Sequence, residues 1–253
     1  MEANKEILSA FNCPSCDGVM HPPIKMCVLG HCICNPCFTK NHLCPVCNSS
    51  KSSARNFGLE ELYENFLFHC ENKDEGCTFV GEGAVTKDHE MYCSYTILDC
   101  PLKPFLCSWT GTIRDLFDHT KKHHPGNAYD MSEKVIPLDM CTHFVPGSFY
   151  QVVIRAFEEV FLFMCCVNSN NSAIKWVLLY LGSKENANKF YYTVEFVDPR
   201  DPLKVVRLKS NCQLLRNYNE GVKIKCEILS DNDVFKKILE TRHYHYIVTL
   251  QKN

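Results

Sequence analysis

The second half of the chain is written in alternation. Phe190, Tyr192, Val194 and Phe196 take turns with Tyr191, Thr193 and Glu195; Val222, Ile224, Cys226 and Ile228 take turns with Lys223, Lys225 and Glu227; Tyr244, Tyr246, Val248 and Leu250 continue the pattern. A period of two predicts strands with one face buried. The runs VFLFMCCV and IKWVLLYL are apolar throughout, as expected of central strands, while DPRDP and NYNEG supply turns. One short helix is predicted after Asp233, around VFKKILE. Many evenly spaced strands with few helices point to an antiparallel β-sandwich over residues 127–253. Ahead of it the periodicity disappears, and cysteines and histidines set the pattern.

Four pairs of metal-ligand type stand between Cys13 and Cys47: Cys13 with Cys16, Cys27 with His31, Cys34 with Cys37, and Cys44 with Cys47, each separated by two or three residues. That spacing lets two sulfurs, or a sulfur and an imidazole nitrogen, converge on one tetrahedral zinc at about 2.0–2.3 Å. Eight ligands make two sites. Each is closed by four protein ligands with no position for an activated water, so the zinc is expected to be structural. The segment is too short and too poor in apolar runs to fold on burial alone, and metal binding must supply the difference. A disulfide framework is the weaker reading, because four such pairs are a zinc signature and the opening MEANKEILSA is not a secretory leader. Cys32 is left over as a bystander.

The polar stretch after Cys47, NSSKSSARN, reads as a linker centred on residues 51–56. A second metal-rich block then occupies residues 57–126. Cys70, Cys77, His89 and Cys93 follow C-x6-C-x11-H-x3-C, and the pattern restarts with Cys100, Cys107, His119 and a final histidine. Each repeat places a strand and a helix between its second cysteine and its histidine. In the second, Thr112 is the expected cap, with Asp115 three residues on and Leu116 pointing inward. His123 shares a helix face with His119, whereas His124 precedes Pro125, which pushes it out of the helical region and toward the metal. Geometry leaves both as candidates.

The 253 residues allow two or three units, and the net charge of −2 argues against nucleic acid or an anionic membrane as partner. No stretch of about 18 apolar residues is present, so the chain is expected to be soluble, with reduced thiols, in the cytoplasm and also the nucleus. Cys141, Cys165, Cys166, Cys212 and Cys226 lack ligand spacing and are expected as small core hydrophobes. His143, His243 and His245 have no partner at metal spacing.

The order of the first eight ligands resembles a RING finger, and a RING followed by this double finger resembles the seven in absentia family of ubiquitin ligases. The resemblance implies that Cys13, Cys16, Cys34 and Cys37 share one zinc and Cys27, His31, Cys44 and Cys47 the other. It also selects His124 over His123, gives about four zinc ions per chain, and makes residues 1–50 the RING and the C-terminal region a TRAF-like sandwich that binds substrates and dimerises. It further implies docking of a ubiquitin-conjugating enzyme at Ser15, Asn41, Pro45 and Val46. The family usually carries larger apolar residues at the positions of Ser15 and Asn41, and often a basic residue at that of Asn48. An extended degron peptide is expected to add along Phe149, Gln151 and Val153, Gln151 standing where the family has Trp. The alternating strand Tyr244–Leu250 is the expected symmetric edge of a homodimer. A weakly active substrate-binding scaffold of the same fold is the alternative. Nucleic-acid binding by the fingers and zinc hydrolysis are weaker readings, because the C-x6-C arm is longer than in DNA-reading fingers and every predicted site is closed.

Overall fold

The computed structural model describes residues 5–103, 106–131, 138–142, 149–167, 173–198, 201–215, 227–230 and 244–253. The chain divides into two compact units, Met1–Met91 and Tyr92–Asn253. The predicted helix around VFKKILE, the strand residues 222–226 with Cys226, and His143 and His243 lie outside the described residues.

The first unit runs α1 (Lys5–Ser9), β1 (Lys25–Cys27), β2 (Cys32–Ile33), α2 (Asn35–Lys40), β3 (Lys51–Arg55), α3 (Phe57–Asn65), β4 (Leu67–His69), β5 (Val80–Glu82) and α4 (Gly83–Glu90). The stretch expected as a linker is a strand: β3 completes a small sheet in the order β2-β1-β3, with Lys25 opposite Arg55 and Cys27 opposite Lys51. Its serines concealed it, since only its main chain pairs and its side chains stay half-buried or exposed. Two cations pin it. Lys51 Nζ donates to the Phe38 carbonyl at 2.6 Å, and the Arg55 guanidinium clasps the Glu60 carboxylate, which also accepts the Ile24 N–H at 2.7 Å.

Helix α3 starts at Asn56, whose side chain accepts the Leu59 N–H at 3.0 Å. It carries Tyr63, buried in an aromatic cluster with Phe11 and Phe68. The Tyr63 hydroxyl donates to the Gly83 carbonyl at 2.6 Å, so His21 Nδ1, also 2.6 Å away, is the donor to the tyrosine oxygen. A Cβ at Gly83 would fall 2.4 Å from the Tyr63 ring, which explains the glycine.

Burial, with Lys87 adding to it, pushes the His21 imidazole down to about 4. The unfolded chain binds this proton near the ordinary value of about 6.5 and the folded chain does not. The stability His21 contributes is therefore complete above about 6.5 and declines as pH falls toward 4. Urea melts of the parent and of His21→Gln at stepped pH are expected to converge as the medium is acidified through this window.

The second unit contains β6 (Ile97–Asp99), β7 (Thr110–Thr112), α5 (Ile113–His123), β8 (Ala128–Asp130), β9 (Leu138–Thr142), β10 (Phe149–Ala156), β11 (Glu159–Val167), β12 (Ala173–Tyr180), α6 (Lys184–Ala187), β13 (Phe190–Asp198), β14 (Asp201–Asn211), β15 (Gln213–Leu214), β16 (Glu227–Ser230) and β17 (Tyr244–Lys252). One sheet has the order β15-β12-β11-β10-β8, with β16 also on β12; the other is β14-β13-β17-β9. The sheets face each other across one core, in which Val152, Ile154, Phe161, Phe163, Trp176 and Leu178 meet Phe190, Tyr192, Val194, Phe196, Val248 and Leu250. The expected sandwich is present, with two departures. β8 and β15 join their neighbours in parallel, at the margins of the sheet. And β17 is an inner strand between β13 and β9, so it is not the free edge expected of it.

The continuous apolar runs of β11 and β12 have a direct cause, because the first sheet is buried on both faces. Val153, Leu162, Val177 and Leu179 point away from the sandwich core into a second cluster with Leu98, Leu116 and Phe117. Leu116 and Phe117 belong to α5, so the second finger covers the outer face of the sheet. Arg155 on β10 reinforces this contact, its guanidinium lying 4.2 Å from the Phe117 ring centre and pairing with Asp118 and Asp130. Phe117→Ala should cost about 3–5 kcal/mol and weaken finger and sandwich together, read as a lowered single transition in denaturant melts. Cys165 and Cys212 are buried in the sandwich core, as expected; Cys166 is half-buried.

Candidate metal centres and docking surface

The donors gather into four groups. Cys13, Cys16, Cys34 and Cys37 form one; Cys27, His31, Cys44 and Cys47 the second; Cys70, Cys77, His89 and Cys93 the third; Cys100, Cys107, His119 and His124 the fourth. In each group the ligand atoms lie within 4.8 Å of one another. Ligands held about 2.3 Å from a tetrahedral ion stand about 3.8 Å apart, which is the edge of the tetrahedron. Cys16 Sγ and Cys34 Sγ are 3.8 Å apart, as are Cys27 Sγ and Cys47 Sγ. His31 Nδ1 lies 3.5 Å from Cys27 Sγ, His89 Nε2 3.3 Å from Cys77 Sγ, and His119 Nε2 3.5 Å from Cys107 Sγ. These separations fit a zinc ion and are far too long for disulfides. Among the described residues the chain thus has four Cys/His clusters able to bind metal ions, consistent with about four zinc ions per chain.

Local backbone builds each cluster. Cys13 N–H donates to the Gly18 carbonyl and Asp17 N–H to the Cys13 carbonyl, a tight knuckle that turns through Asp17 at φ +62°. The last RING-like pair repeats it: Cys44 N–H reaches Ser49, Asn48 N–H reaches Cys44, and Asn48 sits at φ +57°. Asparagine tolerates this left-handed conformation better than most residues, which accounts for Asn48 in backbone terms. Cys34 and Cys37 stand at the start of α2, where Pro36 occupies an early helical position that needs no N–H. The Cys34 N–H points at Cys13 Sγ, 3.5 Å away, across the first cluster.

In the second finger, α5 begins after Thr112, whose hydroxyl donates to Asp115 at 2.6 Å instead of capping a main-chain N–H. The helix ends at His123. His124 has left it, at φ −136° and ψ +58°, and its Nε2 lies 3.8 Å from Cys100 Sγ. His123 is exposed, stacks at 5.2 Å on His119 and stays outside the cluster. Cys32 is half-buried and accepts a hydrogen bond from the Asn56 amide.

The positions expected to dock a conjugating enzyme are on the surface of the first unit. Ser15, Pro45 and Val46 are exposed and Asn41 half-buried. Val28, Leu29, Leu43 and Val46, each at least half exposed, flank the ligands of the second cluster. Ser15 and Asn41, far apart in sequence, meet: Asn41 Nδ2 donates to Ser15 Oγ at 3.2 Å. The three peptide positions part company. Phe149 is 43% exposed, but Gln151 is buried and Val153 packs into the cluster beneath α5, leaving it no surface for a peptide. The Gln151 carbonyl is taken by the Asn127 side chain.

Residues 61–136 match the family model of the Sina zinc finger. The chain is 30% identical over 201 residues to "E3 ubiquitin-protein ligase siah-1" of Caenorhabditis briggsae, an alignment covering 77% of this chain and 46% of that protein. Over these stretches the chain is similar to seven in absentia proteins. It is also 27% identical over 195 residues to "E3 ubiquitin-protein ligase SIAH2" of Homo sapiens, covering 75% of this chain and 60% of the relative. A Drosophila melanogaster protein, "Probable E3 ubiquitin-protein ligase sinah", is 32% identical over 118 residues, 47% of this chain and 34% of that protein. The chain thus spans about half the length of the curated relatives it matches. The Sina-type segment takes in both finger clusters. Among the described residues no helix is long and apolar enough to cross a membrane.

Two features of the Sina-type fingers escaped sequence reading. Phe79 and Trp109 each lie flat on the first histidine of their finger, and Gly81 and Gly111 leave room for those rings. The signal was a repeated C-x-aromatic-x-G, CTFVG and CSWTG. Cys44→Ala should lower the zinc count by one and loosen β1 to β3, measured as metal per chain and as amide exchange of residues 25–55.

Proposed function

We propose that the chain is a RING-type ubiquitin ligase that docks a ubiquitin-conjugating enzyme and promotes ubiquitin transfer to substrates held by its sandwich, marking them for the proteasome. The interleaving of the first two clusters, with exposed apolar side chains around the second, supports this reading most directly. In it, residues 1–50 act as the RING, 57–126 as the double finger and 127–253 as the TRAF-like substrate domain. Each metal cluster is closed, so none offers an open position to the substrate. A substrate amine attacks the thioester carbonyl on the conjugating enzyme, whose cysteine leaves as thiolate. The ligase contributes proximity and orientation, which are worth several kcal/mol or more.

Docking falls to Pro45 and Val46 with the exposed Leu29 and Leu43, and to Ser15 and Asn41. Substrate contact falls to Phe149 and the start of β10, ahead of its pairing with β8, as strand addition of an extended degron. Val153 is no part of it. Pairing of two chains uses a surface other than β17. A cytoplasmic or nuclear setting agrees with the thiolate-rich metal sites.

The Ser15–Asn41 hydrogen bond favours one second reading, a substrate-binding scaffold of low transfer activity. It replaces apolar docking surface with a polar pair. Ser15→Val with Asn41→Leu is expected to raise chain formation about tenfold or more, the equivalent of about 1–3 kcal/mol of recovered apolar burial. The assay is self-ubiquitination by the full-length protein across a panel of conjugating enzymes, with Cys44→Ala as the inactive control. A parent already as active as the double variant removes the scaffold reading; no product from either removes the ligase reading.

A further inference from the structure

The two fingers share a device beyond their ligands. In the first, the Phe79 ring is parallel to His89 at 4.0 Å between centres and 7° between planes. In the second, Trp109 is parallel to His119 at 4.2 Å and 9°. Both aromatic residues stand two positions after a cysteine ligand and two before a glycine. A Cβ at Gly81 would come within 3.0 Å of the Phe79 ring, and one at Gly111 within 2.3 Å of the Trp109 ring. Each ring is thus held between the main chain of its own strand and one face of the ligand imidazole.

The second copy extends further. Trp109 packs against the apolar cluster formed by Leu98 and Leu116 of the finger and Val153, Leu162, Val177 and Leu179 of the sheet. One face of the half-buried indole meets a metal ligand, and the ring also packs against the cluster that the finger shares with the sandwich. We propose that Phe79 and Trp109 are positioning residues for the finger metal sites, holding the ligand imidazole in its plane, and that Trp109 also ties metal occupancy of the second finger to the sandwich sheet.

The physical reason is the freedom of a histidine side chain. Nε2 of His89 and of His119 faces its cysteine partner only in a narrow range of ring rotations. A flat neighbour at van der Waals distance removes the others before any metal arrives, so less ordering remains to be done on binding. Outer contacts of this kind typically change metal affinity by about 10–100-fold. Where the same ring also packs on an apolar cluster, as Trp109 does, a ligand that swings free disturbs that packing.

The test uses the full-length zinc protein and three variants, Phe79→Ala, Trp109→Ala and Trp109→Phe. Zinc release is titrated with a chelator, ligand geometry is followed by the visible absorption of cobalt-exchanged protein, and sandwich unfolding by the fluorescence of Trp176, the other of the chain's two tryptophans. Phe79→Ala and Trp109→Ala should each give up one zinc at about 10–100-fold lower chelator strength and distort the cobalt bands, while Trp109→Phe keeps both near the parent. Releasing the second-finger zinc should lower the Trp176 transition in Trp109→Phe, where Trp176 is the one remaining tryptophan and an aromatic ring still stands at position 109, and move it less in Trp109→Ala. Release unchanged in both alanine variants, or all four zincs lost together, overturns the positioning role. Equal movement of the Trp176 transition in Trp109→Phe and Trp109→Ala overturns the tie to the sandwich.

Discussion

The tetrahedral meeting of four sulfur or imidazole donors is the constraint on which the first hundred residues depend. Among the described residues of the RING-like part, the cluster around the ligands consists of Cys13, Cys27, Cys34 and Cys44 with only Met20, Ile24 and Ile33 fully buried beside them, and Phe38 and Leu59 half-buried against it. Three aliphatic side chains cannot offset the ordering of some fifty residues, at about 1–2 kcal/mol each for the backbone. The ligands are therefore the core as well as its fastening. Around them the chain needs only short strands and single helical turns, and the knuckles at Asp17 and Asn48 show backbone bent to suit the metal.

Between the clusters, a few side chains with two allegiances set the arrangement. Tyr63 faces His21 and Gly83 at once, Glu60 holds Arg55 and the Ile24 amide, and Arg155 covers Phe117 while pairing with two aspartates. Each joins elements that zinc does not connect. The second finger differs from the first in what it leans on. Its helix lies on a sheet whose outer face is apolar, so a small metal module and a large β-core share one hydrophobic cluster.

Ligand positions were legible in the sequence because spacing along the chain dictates which donors converge. Alternation was equally informative about which side of β13 faces the core, with Phe190 to Phe196 buried as read. It was silent on neighbours. The same alternation in β17 serves an inner strand, since period two reports faces and not edges. β3 hid because strand pairing through the main chain leaves no mark on serines. Val153 looked available because nothing in a strand pattern reveals that a helix lies across it. The polar residues Ser15 and Asn41 were visible one at a time, but their contact joins positions that only the fold brings together.

The cover that α5 lays over β10, β11 and β12 also determines where this chain can be divided. A cut between the second finger and the sandwich, the natural place by motif, would strip a three-layer body to two and leave Leu162, Val177 and Leu179 facing water. A fragment meant to stand alone must begin ahead of Leu98, carrying its finger with it. The smallest autonomous form of this β-sandwich is a metalloprotein.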